Sequence, residues 1–374
     1  MVSTVAVRIL IVALPLVLGS ARAADGANDA LGQAGYLTLH PLPPCIAEHF
    51  ANAHQRCLPS SLPAEATADA QASVHMDRAI TYAYLRRWQD ARGELEAAFA
   101  LRPDGAEARH LAARVALTAY DEQRDASWLA TAREQIAAAL ALAPRSADIA
   151  ATQAFLVYLE GQHEDAVAAY GSVIAMQPDH AFALGQRAML HAGKGRFALA
   201  LEDYDKAIVA APRDALLRHG RAGVALALGK PDLALADLNA ILEANPLDFL
   251  GYGLRAGAHR QLGNLEGALE DLSTLIDGPK GRMPFATAGD QLAGFFMQRA
   301  MVLSDLQRNA DAARDMLHAL QLGGKAKILR LQVYLRRNGY GDLALDGMPS
   351  GELAAAVEAC FAKKLCRAGL VEQA

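Results

Sequence analysis

Aromatic residues are scarce in this chain, 6% of 374, and tryptophan occurs twice. With so few rings, and with alanine abundant through the middle, the core must be built from small side chains, which suits helices packed closely side by side. A basic excess is also missing. Lys and Arg number 36 against 41 Asp and Glu, for a formal charge of −5, and no long basic stripe occurs. That excludes the electrostatic footprint of a nucleic-acid binder. The catalytic and cofactor signatures are missing too: no Gly-x-Ser-x-Gly, no phosphate loop, no His-Glu-x-x-His and no heme-type Cys-x-x-Cys-His. The chain is therefore expected not to be an enzyme, and no cofactor is expected.

Long apolar runs are equally rare. Arg8 is followed by eleven uncharged residues, Ile9 to Gly19, and then by Ser20-Ala21-Arg22-Ala23. Small residues at the −3 and −1 positions mark cleavage after Ala23, so residues 1–23 read as a secretory signal peptide. The run is too short to span a bilayer comfortably. Export to a bacterial periplasm is expected, with no integral membrane segment after cleavage.

Only four cysteines occur, Cys45, Cys57, Cys360 and Cys366. In an exported chain an even number fits disulfides, and four cysteines allow three pairings. The two short spacings favour Cys45–Cys57 and Cys360–Cys366. Cys45, His49, His54 and Cys57 could together ligate zinc, but their spacing matches no common zinc pattern, and no metal is expected. Residues 24–71, with Pro41, Pro43, Pro44, Pro59 and Pro63, read as a Pro/Ala-rich leader holding the first disulfide-bounded segment.

What is present in quantity is a repeat. Pro178, Pro212 and Pro246 stand 34 residues apart. With each as position 32, position 8 is Ala154, Ala188 and Ala222, position 15 is Gly161, Gly195 and Gly229, and position 20 is Ala166, Ala200 and Ala234. The next unit continues with Ala256, Gly263 and Ala268, a weaker copy has Ala300 and Ala312, and upstream Ala79, Ala91 and Pro103 fit the same frame. Pro103 and Pro144 lie 41 residues apart, one unit plus a seven-residue insertion around 121–127. Small residues at two positions let antiparallel helices approach, glycine ends the first helix, and proline stops the second. With the aromatics Trp88, Phe197, Tyr170 and Tyr204 at positions 17 and 24, the pattern resembles the tetratricopeptide repeat. The resemblance implies an all-α fold, a TPR-type α-solenoid of about seven helix pairs over residues 72–324, followed by a small C-terminal helical module over 325–374.

Two charged columns change together. Position 7 is Arg78, Arg187, Arg221, Arg255 and Arg299, and position 23 in the same units is Glu94, Asp203, Asp237, Asp271 and Asp315. Where position 7 is Ala112 or Gln153, position 23 is the uncharged Gln135 or Ala169. Ion pairs between the two helices of a unit are expected. An arginine ladder for an anionic ligand is the rival reading, but the matched acids would neutralise it.

In the family the first helix of each unit lines the concave face near positions 2, 5, 9, 12 and 13. The resemblance places Phe155, Tyr158, Phe182, Met189, His219, Leu226, Arg260, Gln261, Met297 and Met301 in that groove, with Asp148 beside them. A protein or peptide partner held there is implied. The set of Lys and Asn that clamps a C-terminal carboxylate in some relatives is missing.

After Gly323-Gly324 the repeat stops. Leu331-Gln332, Leu335, Gly339-Tyr340, Asp346-Gly347 and a helical stretch from Leu353 to Phe361 resemble the three-helix peptidoglycan-binding module of bacterial envelope proteins. Peptidoglycan is thereby implied as a second partner. The segment departs from that family at Met348-Pro349-Ser350-Gly351 and at Phe361-Ala362, where polar contacts would lie. The alternative is a cap covering the open end of the last repeat. The expected function is an exported scaffold or adaptor of the cell envelope. The alternatives are a glycan-binding protein with the repeats as spacer, and a cell-wall hydrolase.

Overall fold

The computed structural model describes residues 66–278 and 289–363. Among them are 16 α-helices and no strand. The chain divides into two units at Arg213 and Asp214. The first holds α1 (Ala68–Tyr84), α2 (Trp88–Leu101), α3 (Ala106–Gln123), α4 (Ala126–Leu142), α5 (Ala147–Leu159), α6 (His163–Met176), α7 (Ala181–Gly193) and α8 (Phe197–Ala210). The second holds α9 (Ala215–Ala227), α10 (Pro231–Ala244), α11 (Phe249–Gln261), α12 (Leu265–Asp277), α13 (Gly289–Asp305), α14 (Asn309–Leu322), α15 (Lys325–Arg337) and α16 (Gly351–Phe361). Seven helix pairs thus precede two further helices, and the fold is the all-α helix-pair solenoid type.

The alanine columns explain the pairing. Ala79, Ala113, Ala154, Ala188, Ala222, Ala256 and Ala300 at position 8 are all at most 1% exposed, as are Ala91, Ala132, Ala166, Ala200, Ala234, Ala268 and Ala312 at position 20. A methyl at each crossing is what fits, because a larger side chain would force the paired helices apart.

The turn inside six of the seven pairs, all but the lengthened α3–α4, keeps one shape whether or not glycine is available. Gly161, Gly195, Gly229 and Gly263 adopt positive φ between 67° and 83°. In the first and last pairs the same position is Arg86 at 57° and Gln307 at 63°. The backbone N–H of the next residue then reaches back to close the helix, as in Gln162 N to Val157 O at 3.2 Å and Arg308 N to Leu303 O at 2.8 Å. The packed alanines hold the turn even where the side chain opposes it.

Between pairs, residues at position 34 cap the next first helix. Ser146 Oγ accepts from Ile149 N, Asp214 Oδ1 from Leu216 N and Asp248 Oδ1 from Gly251 N. α1 starts at Ala68, ahead of the repeat boundary expected at 72, because Thr67 Oγ1 accepts from Ala70 N. The seven-residue insertion makes no loop. It lengthens α3 to 18 residues and α4 to 17, against 13 and 14 in the next pair. That stretch lacks glycine and proline, so nothing stops the helices.

The C-terminal segment is expected as a module over 325–374, and its described part is two helices that share one core with the last repeat pair. Ile328, Leu331 and Leu335 of α15 and Leu353, Val357 and Phe361 of α16 cluster with Leu303, Met316 and Leu320. Gln332, only 2% exposed, locks the intervening turn. Its amide nitrogen donates to Asp346 Oδ1 at 2.9 Å and to Met348 O at 3.0 Å, and its oxygen accepts from Gly347 N at 2.8 Å. Gly347 has φ of 68°, and a Cβ there would lie 2.7 Å from Lys325 O. Gln332, Asp346 and Gly347 are therefore scaffold residues of the turn. Cys360 is buried and disulfide-bonded. Its expected partner Cys366, together with Cys45, Cys57 and the signal segment, lies outside the described residues.

Candidate partner-binding site

Four of the five expected ion pairs stand at bidentate distance. Arg187 donates through Nε and Nη2 to Asp203 at 2.8 and 2.7 Å, and Arg221 does the same to Asp237 at 2.7 and 2.7 Å. Arg255 reaches Asp271 at 3.0 and 2.7 Å and Arg299 reaches Asp315 at 2.7 and 3.0 Å. The four aspartates are buried. The arginine also crosses to the preceding unit, Arg255 to Asn239 Oδ1 at 3.0 Å and Arg299 to Asp277 Oδ2 at 3.2 Å. These guanidiniums are spent on holding helices together. In the first unit Glu94 is met by His75 Nδ1 at 2.6 Å, a partner the column argument did not include beside Arg78.

The expected groove residues separate into two classes. Phe155, His219 and Leu226 are interior, each at most 6% exposed. This corrects their assignment to an open face. Phe155 is covered by Tyr158 and Phe182, with ring centroids 5.8 and 6.1 Å away. Leu226 packs with Leu238, Ile241 and Leu254, and its carbonyl accepts from Gln261 Nε2 at 3.1 Å. His219 Nε2 lies 3.0 Å from Asp248 Oδ1, and burial pushes its pKa down. Tyr158, Phe182 and Met189 are partly exposed and Arg260 and Gln261 exposed, whereas Met297 and Met301 pack against the C-terminal core.

A polar cluster on the first helices of the N-terminal unit escaped the sequence reading. His180 caps α7 with Nδ1, which accepts from Ala183 N at 3.2 Å. The proton must then sit on Nε2, which donates to Asp148 Oδ1 at 3.1 Å. Thr152 Oγ1 donates to the Asp148 carbonyl at 3.0 Å and so accepts from His110 Nε2 at 2.7 Å. Burial and the neighbouring Arg114 lower the His110 pKa to about 4, while Asp148 opposes them, so His110 is neutral at physiological pH.

Arg114, four residues beyond His110 on α3, is half-buried. Burial lowers its pKa, against the opposing fields of Asp148 and Tyr84. No group among the described residues accepts a hydrogen bond from its guanidinium. The sequence did carry a trace of it. At position 9 the other units have Ile80, Phe155, Met189, Gly223, Gly257 and Met301, so Arg114 is the one charged residue of that column. Position 34 likewise reads Ser146, His180, Asp214 and Asp248, with His180 the exception.

A contrasting pocket of about 320 Å³ lies in the second unit, between α12, α13 and α14. Its three arginines are matched: Arg299 to Asp315, and Arg308 and Arg314 to Asp311. Among the described residues no cluster of three or more His, Cys, Asp or Glu side chains could hold a metal, and no helix is long and apolar enough to cross a membrane. Cys45, His49, His54 and Cys57 lie outside them.

Comparison with known proteins gives the class of these helix pairs. Residues 158–215 and 219–281 match the family model of the tetratricopeptide repeat. No curated protein matches the chain. Solved structures similar to it include a tetratricopeptide repeat protein from Parabacteroides merdae, 19% identical over 67% of this chain and 93% of that one, with a TM-score of 0.44. Another is YrrB, described as a TPR protein with an unusual peptide-binding site, 19% identical over 50% and 91%, at 0.43. PilF of Pseudomonas aeruginosa is 15% identical over 57% and 95%, at 0.48. At these scores the likenesses carry no conclusion about function.

Proposed function

We propose that the chain is a non-catalytic, protein-binding scaffold of the bacterial cell envelope, exported by its signal segment and working by holding a partner against the first helices of its repeats. The observation that supports this reading is the tandem repeat itself. Its alanine columns are used for packing and its arginine columns for ion pairing, while Tyr158, Phe182 and Met189 remain partly exposed on α5 and α7. Apolar side chains left at a repeated helix face are what a peptide or helix can cover. The disulfides Cys45–Cys57 and Cys360–Cys366 belong to the same proposal, as ties at the two ends of the array.

The test is capture of partners from an envelope extract by the full chain, beside a Phe182→Asp/Met189→Asp variant with an unchanged melt. A protein retained by the wild type and lost by the variant supports the reading. A set of proteins indifferent to the substitutions contradicts it.

A second reading, docking on peptidoglycan through residues 325–374, has one observation in its favour. The Gln332 lock makes the Asp346-Gly347 turn a built element, and Leu345 and Met348 flank it exposed at 45% and 53%. Co-sedimentation with purified sacculi tests it. Because α15 and α16 share the core of the last repeat, the control should be Leu345→Asp/Met348→Asp rather than a truncation. Pelleting of the wild type alone supports wall docking, and pelleting of neither leaves the segment as a cap.

A further inference from the structure

We propose that the surface formed by α15 and the Asp346-Gly347 turn docks on an anionic lipid bilayer. The inference is independent of whatever lies on the first helices of the repeats.

The charge of α15 is the first observation. The helix carries five cations, Lys325, Lys327, Arg330, Arg336 and Arg337, and no carboxylate, in a chain whose formal charge is −5. The arginines at position 7 of the repeats are spent on buried aspartates. Of these five, only Arg336 has an ion-pair partner among the described residues, Asp342 Oδ1 at 2.7 Å. Ile328, Leu331, Gln332 and Leu335 face the core. Helical spacing therefore turns the row of Ala326, Arg330, Val333 and Arg337 outward, and both arginines of that row are exposed.

The second observation is apolar. The loop before α16 runs along the neighbouring row of α15, which is Lys325, Leu329, Gln332 and Arg336. Arg336 Nη1 donates to Leu343 O at 3.5 Å, Gln332 Nε2 donates to Asp346 Oδ1 and Met348 O, and Gly347 packs against Lys325. Leu345 and Met348 are thus held at the surface along the row that contains Leu329, and all three are exposed. A fixed turn that presents leucine and methionine to water loses nothing in ordering when an apolar medium covers them.

The third observation separates a bilayer from a sugar polymer. A glycan is gripped through hydrogen bonds, and the polar groups of this turn are already engaged. Asp346 Oδ1 accepts from Gln332 Nε2 and from Met348 N at 2.8 Å, and the Gln332 oxygen accepts from Gly347 N. What faces outward is Leu329, Leu345 and Met348 with Lys325, Arg330 and Arg337. Apolar side chains entering the headgroup boundary, with cations against lipid phosphates, are the two contributions that hold a protein on an acidic bilayer. The carboxylates Glu352 and Glu358 stand on α16, and Asp342 is paired with Arg336.

Flotation of the full chain with vesicles tests the inference, using phosphatidylcholine alone and phosphatidylcholine mixed equally with phosphatidylglycerol. The chain should float with the mixed vesicles and not with the neutral ones, and about 0.5 M salt should weaken the binding. Arg330→Glu/Arg337→Glu should weaken it by on the order of tenfold or more. Leu345→Asp/Met348→Asp should weaken it comparably, because the apolar contact is lost. All four side chains are exposed, so both variants should melt with the wild type. A tryptophan at Met348→Trp should shift its emission to the blue on the mixed vesicles. Equal flotation with both vesicles, or flotation with neither, would overturn the inference. So would loss in the arginine variant with none in the Leu345/Met348 variant, which would make the face a general polyanion site. Pelleting with sacculi without flotation on vesicles would overturn it in favour of the cell wall.

Discussion

Removing Arg187 should damage the protein more than removing Asp203, although the two form one pair. The Asp203 side chain is 5% exposed and Arg187 is 23% exposed. Arg187→Met leaves a carboxylate that water barely reaches. Stranding a buried charge in this way costs about 3–5 kcal/mol. Asp203→Asn leaves a guanidinium that can still turn partly to solvent and keeps an amide oxygen to accept from it. That loss should be nearer the value of a charged hydrogen bond, about 1.5–3 kcal/mol. In the double variant neither charge is stranded, so the combined loss should fall short of the sum of the singles by about 1.5 kcal/mol or more. Urea unfolding followed by far-ultraviolet circular dichroism reads all four proteins. Repeat arrays can unfold in parts, so coinciding transitions by a second probe, tyrosine and tryptophan fluorescence, should accompany the fit. Losses that add to within about 0.5 kcal/mol, or an Asp203→Asn loss larger than that of Arg187→Met, would refute the reasoning.

Further tests are simpler. The Tyr170 hydroxyl is buried with no hydrogen-bond partner among the described residues, so Tyr170→Phe should raise stability by about 1 kcal/mol, and a lower melting temperature would count against this. Gln307 sits at φ 63° where four repeats have glycine; Gln307→Gly should stabilise by about 1 kcal/mol in urea unfolding, whereas Gly161→Ala should cost about as much. The folded pKa of His110, about 4, lies below the ordinary value of 6.5, so the unfolded chain takes up the proton first as pH falls. The stability this group contributes is complete above about pH 6.5 and is lost down to about pH 4, by at most about 3 kcal/mol. His110→Gln should therefore flatten the fall in melting temperature between pH 7 and 4.5, leaving the part due to His191 and His219, whose pKa values burial also lowers. An unchanged slope would contradict the assignment. Gly347→Ala should unseat the turn held by Gln332, seen as a lower melting temperature of at least several degrees.

Much of this architecture could be read from the sequence because the repeat supplies its own comparisons. Arg187 and Asp203 are legible as a pair because their columns lose charge together in the units of Gln153 and Ala112. The helix pairs are legible because alanine at two positions and glycine at a third have one physical use each. What escapes is whatever breaks a column. Arg86 and Gln307 take the glycine turn without glycine, since tertiary packing overrides the local cost. The insertion near Asp121 gives longer helices, because only its lack of breakers, and no positive pattern, marks it. Phe155 is interior because Phe182 from the next unit lies on it, a contact that position numbers within one unit do not contain. The cluster of His110, Arg114, Asp148, Thr152 and His180 draws on two first helices, α3 and α5, and the cap of α7, so no single repeat displays it.

The central claim, that a partner lies on the first helices of the repeats, is most directly tested by site-specific photocrosslinking in living cells. A crosslinking amino acid would replace Phe182 or Met189 on α7, with Val209 on α8, 84% exposed, as the control. Discrete adducts of one mass at 182 and 189, absent at 209, are predicted. Adducts at 209 alone, or the same smear at all three, would contradict the account.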